Sequence, residues 1–162
     1  MLIALKLSMG YTTLTLTTKQ KNSLKTNMFN KIEHLGIAVS DMQTAIKEFE
    51  LLLGQKCYKT ESVLSEGVKT AFIQVGESKI ELLEATDPSS PIAKFLEKKG
   101  QGIHHVAFDV NDIEAEISRL IENGFELIHK SAKAGADNKL IAFLHPKSTS
   151  GVLIEMCQEK SS

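Results

Sequence analysis

The chain contains itself twice. The run Ile-Glu-His34-Leu-Gly-Ile-Ala-Val-Ser-Asp41 returns as Ile-His-His105-Val-Ala-Phe-Asp-Val-Asn-Asp112, 71 positions later at both ends. Gly54 has its partner 70 positions on, in Gly124, and Ile-Glu81-Leu-Leu returns 74 positions on as Ile-Glu155-Met-Cys. A duplication of this length restricts the fold to two copies of one unit related by a pseudo-twofold. Each copy then carries one histidine on its first strand and one glutamate on its last. Two His and two Glu related in this way are a ligand set suited to a divalent metal.

Length and composition agree with one domain, or two half-domains sharing a core: 162 residues, 42% hydrophobic, formal net charge −1. No basic stripe points to nucleic acid, and no apolar run approaches the roughly 20 residues of a membrane span. Cys57 and Cys157 form no CxxC pair and read as buried, reduced core residues, which suits a reducing compartment. Residues 1–30 stand apart: they hold no Asp or Glu and four lysines, and they are rich in Ser, Thr and Asn. They read as an N-terminal extension without fixed structure, and three origins stay open. It is a leader upstream of a true start at Met28, a targeting segment unusual in lacking arginine, or a structured extension. The protein is accordingly expected in the cytoplasm, or in the mitochondrial matrix if the extension is a transit peptide.

Residues 31–158 form the folded domain, with module 1 over 31–86, a linker over 87–102 and module 2 over 103–158. Residues 32–39 alternate as a strand, and Asp41 is a natural N-cap for the amphipathic helix that Gly54 stops. Residues 57–63, 68–75 and 79–84 follow as strands. In the linker, Asp87-Pro-Ser-Ser-Pro91 leads into a short helix over 92–98. Module 2 repeats the order: a strand over 103–110, a helix over 113–123 between Asp112 and Gly124, and strands over 125–130, 139–145 and 152–157. The predicted class is α+β: tandem βαβββ modules forming one curved mixed sheet around a metal-binding cavity, with helices outside.

Period 2 along the strands puts His34 on a face with Gly36 and Ala38, and His105 on a face with Ala107 and Asp109. Small neighbours leave room for something to approach each imidazole. His104 falls on the opposite face and reads as structural, or as a support for its neighbour. A buried carboxylate without a partner costs several kcal/mol. Glu81 and Glu155, flanked by Ile and Leu or Met, therefore need a cation, either a metal ion or a lysine each. Two neutral imidazoles and two carboxylates neutralise a divalent ion and leave about two of six positions free for water or substrate. Such mixed ligation suits Co, Mn, Ni, Fe or Zn without choosing among them.

The repeat and the His/Glu/His/Glu set resemble the vicinal oxygen chelate superfamily, which includes glyoxalase I, extradiol dioxygenases and bleomycin-binding proteins. Within it the chain resembles the methylmalonyl-CoA epimerases. The resemblance rests on Glu66-Gly-Val68, Ser90-Pro-Ile-Ala-Lys-Phe-Leu96, Gly102-Ile-His-His-Val-Ala-Phe108, His145-Pro-Lys147 and Gly151-Val-Leu-Ile-Glu155, and it covers residues 31–158. It implies one divalent ion, cobalt favoured, held by His34, Glu81, His105 and Glu155. It also implies a homodimer and an isomerase acting on the acyl-CoA thioester methylmalonyl-CoA in propionate metabolism. The α-proton would leave through an enolate, with Glu155 as one acid/base. Some members place a second catalytic glutamate where this chain has Thr70, so the opposite proton donor stays open between a water on the ion and Glu66. Two rivals remain. A glyoxalase I-like lyase usually carries Asp-Pro-Asp-Gly where His145-Pro-Lys147 stands here, and a non-catalytic binding protein of the same fold generally loses the quartet.

Overall fold

In the computed structural model, residues 29–160 are described, so the expectation for the extension lies, but for Phe29 and Asn30, outside the described residues. Module 1 comprises β1 (Lys31–Ala38), α1 (Met42–Leu53), β2 (Cys57–Val63), β3 (Val68–Val75) and β4 (Ser78–Ala85). The connector carries α2 (Pro91–Lys99). Module 2 comprises β5 (Gly102–Asp109), α3 (Ile113–Glu122), β6 (Lys133–Ala134), β7 (Lys139–Leu144) and β8 (Ile154–Glu159). Just ahead of β1, Asn30 donates its side-chain amide to Asp109 (2.8 Å), and Phe29 stacks edge-on against Phe108.

All eight strands form one sheet in the order β2-β3-β4-β1-β5-β8-β7-β6. The order reads outward identically from the centre in both modules. β1 pairs in parallel with β4, and β5 with β8; the two modules join through the antiparallel β1–β5 pair. This is the mixed α+β sheet that the duplication predicts.

Local chemistry explains why the two copies turn in the same places. Asp41 accepts from the backbone N–H of Thr44 (2.7 Å) and Asp112 from that of Ala115 (3.0 Å), so equivalent side chains cap equivalent helices. Gly54 ends α1 in the left-handed region at φ 64°. α1 packs Met42 and Ala45 onto Ala71, Ile73 and Leu82, whereas α3 packs Ile113, Ile117 and Leu120 onto Ala142, Leu144 and Met156. Apolar cores thus lie under α1 and α3 and leave the other side of the sheet for the site. α2, capped by Ser90 with Pro91 in its first turn, packs Ile92 against Ala38, Val68 and Leu83.

One expected strand is missing. Residues 125–130 pair with the sheet only through the single bridge Leu127–Leu144 and backbone bonds either side of it. The strand at that edge is instead β6, set against Leu140 and Ile141. A tight turn at Asp137 and Asn138, both in the left-handed region at φ 52° and 58°, joins β6 to β7. It lays β6 along the start of β7 and leaves only the far end of that edge for Leu127.

Candidate metal centre

The β1–β5 seam carries the pseudo-twofold. His34 lies opposite Ala107, and Gly36 opposite His105. On the flanking strands, Glu81 pairs with Gly36 and Glu155 with Ala107. Four repeat-related side chains therefore meet across four adjacent central strands. His34 Nε2 is 2.9 Å from His105 Nε2 and 3.1 Å from Glu81 Oε2. His105 Nε2 is 3.3 Å from Glu155 Oε2 and 3.5 Å from Glu81 Oε2, and the remaining His34–Glu155 separation is 3.9 Å. All four residues are buried, none more than 6% exposed.

The convergence strongly perturbs protonation. Burial opposes charge on His34, but hydrogen bonds to Glu33 and Glu81 outweigh it and raise its pKa to about 10. Burial likewise pushes Glu81 up, yet contacts with His105 and His34 lower it to about 2. Glu155 lies farther from His34 and its carboxyl is raised by burial, only partly offset by the two imidazoles. A compact set of two imidazoles and two carboxylates, each with a donor atom at one point, is compatible with a divalent metal. His34, His105 and Glu155 each present a ligand atom within 4.8 Å of the others'.

Glu33, His34 and Cys157 satisfy the same spacing. That set is committed elsewhere: Glu33 faces two lysines, and the Cys157 thiol donates to the Phe108 carbonyl (3.3 Å) while burial pushes its pKa far up.

The quartet opens into a cavity of about 200 Å³ between the modules. Val68, Phe72 and Leu83 from one module and Ile141, Phe143 and Leu153 from the other form an apolar wall. Thr70 and Glu66 also reach it. Thr70 is buried, its hydroxyl making only a long contact of 3.5 Å to the Glu61 carbonyl, while Glu66 pairs with Lys133 across the modules (2.6 Å). Asp137, in the turn between β6 and β7, crosses to Lys79 (2.7 Å) and Lys59 (3.2 Å), bracing the same gap.

Sequence reasoning misplaced His104. Its Nδ1 lies 2.9 Å from His105 Nδ1 and it lines the same cavity, rather than the opposite face. The β1–β5 register shifts between Gly36 and Ile37, which leaves His104 unpaired on a bulge. A second shift, between Ile32 and His34, leaves Glu33 in the equivalent position. Reasoning from the sequence also passed over Glu33, Lys79 and Lys139. Glu33 Oε2 is 2.5 Å from His34 Nδ1, and its Oε1 is 2.6 Å from Lys79 Nζ and 3.2 Å from Lys139 Nζ. The repeat did hold a signal for it, since Glu33 and His104 occupy equivalent places before the paired histidines.

The sequence profile of the Glyoxalase/Bleomycin resistance protein/Dioxygenase superfamily matches residues 33–143. The chain belongs to this superfamily and, within it, to the methylmalonyl-CoA epimerase family. It is 38% identical over 133 residues to an ethylmalonyl-CoA/methylmalonyl-CoA epimerase of Cereibacter sphaeroides, covering 81% of this chain and 99% of that protein. The crystal structure of methylmalonyl-CoA epimerase from Mycobacterium tuberculosis is similar with a TM-score of 0.80 at 34% identity, covering 91% of this chain and 95% of that one. The chain is also 40% identical over 131 residues to an uncharacterised protein of Bacillus subtilis, covering 81% and 94% of the two.

Proposed function

We propose that this protein is a metal-dependent epimerase interconverting (R)- and (S)-methylmalonyl-CoA in propionyl-CoA metabolism. The observation that carries the reading is the convergence of His34, Glu81, His105 and Glu155 at one buried point facing an apolar cavity. The names of its relatives supply the substrate. These four residues would hold one divalent ion, with cobalt the favoured metal; when bound, it supplies Lewis acidity where negative charge develops as the α-proton leaves.

The chain's own residues supply the rest. The apolar wall excludes water from the carbon that inverts, which strengthens electrostatic interactions within the cavity. Glu155 takes or returns a proton on one face of the enolate. On the other face Thr70 offers only a hydroxyl, so Glu66, which lines the cavity and pairs with Lys133, is the candidate donor there. A homodimer is part of this reading. Among the described residues no helix is long and apolar enough to cross a membrane.

The test is a coupled methylmalonyl-CoA assay with and without chelator, run beside metal analysis of His34→Ala and His105→Ala. Activity lost to chelator and restored by divalent ion, with metal content falling well below one per chain in both variants, supports the reading. Turnover indifferent to chelator refutes the metal dependence. Turnover of glutathione hemithioacetal in place of the thioester would indicate the lyase.

A further inference from the structure

The residue before each of the paired histidines does the same job in the two modules with different chemistry. Both Glu33 and His104 sit at bulges in the central strand pair, which turn two consecutive side chains toward the interior. Each then meets the Nδ1 atom of the histidine that follows it, at 2.5 Å from Glu33 Oε2 and 2.9 Å from His104 Nδ1. Because the ring nitrogens lie on opposite sides of the imidazole, engaging both Nδ1 atoms leaves both Nε2 atoms pointing at each other and at the two carboxylates.

We propose that Glu33 and His104 are positioning residues that accept the Nδ1–H of His34 and His105, fixing both imidazoles with the Nε2 lone pair toward the ion. The inference rests on the metal reading given above. Glu33 faces the ammonium groups of Lys79, on β4, and Lys139, on β7 of the other module, so its carboxylate is ionised and can only accept. The proton between it and His34 therefore belongs to Nδ1. Glu33 thereby clamps a module 1 imidazole to strands of both modules. His104 has no such charge network; its ring stands edge-on against Phe95, centroids 5.0 Å apart, which holds it beside His105. Contacts of this kind orient metal-bound imidazoles, and losing one typically costs about 10–100-fold in metal affinity.

The discriminating variant is Glu33→Gln. The amide keeps the shape but has one acceptor oxygen, which the two lysines claim, so its NH2 faces His34 Nδ1 and favours the wrong tautomer. Co2+ titration of the full chain, followed by visible absorption, should show about 10–100-fold weaker binding in this variant and an altered spectrum. His104→Leu should weaken binding similarly, and His104→Gln, which retains an acceptor, should recover most of it. Circular dichroism and a cooperative unfolding transition establish that the variants are folded. Separately, NMR of the wild-type protein before metal addition should show a deshielded, slowly exchanging Nδ1–H proton on His34 that Glu33→Gln removes. If Glu33→Gln and His104→Leu bind Co2+ within twofold of wild type with the same spectrum, or if the His34 Nδ1–H proton is absent, the proposal is overturned. Failure of the wild type to bind Co2+ defeats the ligand assignment instead, and the Nδ1–H resonance alone then decides the positioning contact.

Discussion

The imidazole of His105 stands in the space that a side chain on Gly36 would need: a Cβ built there meets His105 Cε1 at 2.2 Å and Nε2 at 2.5 Å. Gly36 does not adopt the left-handed backbone conformation, so what it provides is close approach rather than an unusual turn. Its repeat partner Ala107, opposite His34, is fully buried.

Gly36→Ala should therefore displace His105 while disturbing little else. Overpacking of this kind costs about 1–3 kcal/mol, and metal affinity should drop by at least ~10-fold, in line with disturbed ligand orientation. Chemical denaturation and Co2+ titration measure the two effects. Wild-type affinity in Gly36→Ala contradicts the placement of His105.

Metal affinity should rise with pH. The His34 pKa is raised to about 10, so near neutrality the ring carries two protons, and an ion that takes Nε2 must displace one. Co2+ affinity is expected to increase by about tenfold per unit between about pH 6 and 8, flattening as pH approaches the His34 pKa. The same shift stabilises the ion-free protein fully below the ordinary histidine value, and that contribution is lost as pH rises through about 10. Affinity that stays flat over this range contradicts a protonated His34.

Much of this was legible because the chain repeats. Asp41 and Asp112 announced two capped helices, and pairing His34 with His105 and Glu81 with Glu155 singled out four side chains that proved to converge. What strict alternation cannot show is a bulge. Glu33 and His104 each add one residue to the ladder, so period 2 sends them to the wrong face. Lys79 and Lys139 were invisible for a related reason: a strand lysine is ordinarily solvated, and these are buried against Glu33, with Asp137 beside Lys79 and Glu159 beside Lys139. The strand expected at 125–130 is reduced to the single bridge Leu127–Leu144, because an apolar alternation shows that a segment suits a sheet but not how far the ladder runs.

Thr70 and Glu155 should respond very differently to substitution. Thr70 touches the cavity with a hydroxyl that makes only one long contact. Thr70→Val should keep activity within roughly tenfold, or about 1.4 kcal/mol. Glu155→Gln should lose several orders of magnitude, since it removes a charged ligand and a base together. If steady-state kinetics find Thr70→Val as damaging as Glu155→Gln with metal content unchanged in both, the hydroxyl belongs to the proton relay.

The most direct measurement is solvent exchange at the substrate's α-carbon. In deuterated water, metal-loaded protein turning over (R)- or (S)-methylmalonyl-CoA should place deuterium at that carbon, as mass spectrometry would record. The labelling should cease when chelator removes the ion and resume on its return. Inversion over many turnovers without label, or labelling that survives complete removal of the metal, would contradict an enolate formed at the His34–Glu81–His105–Glu155 centre.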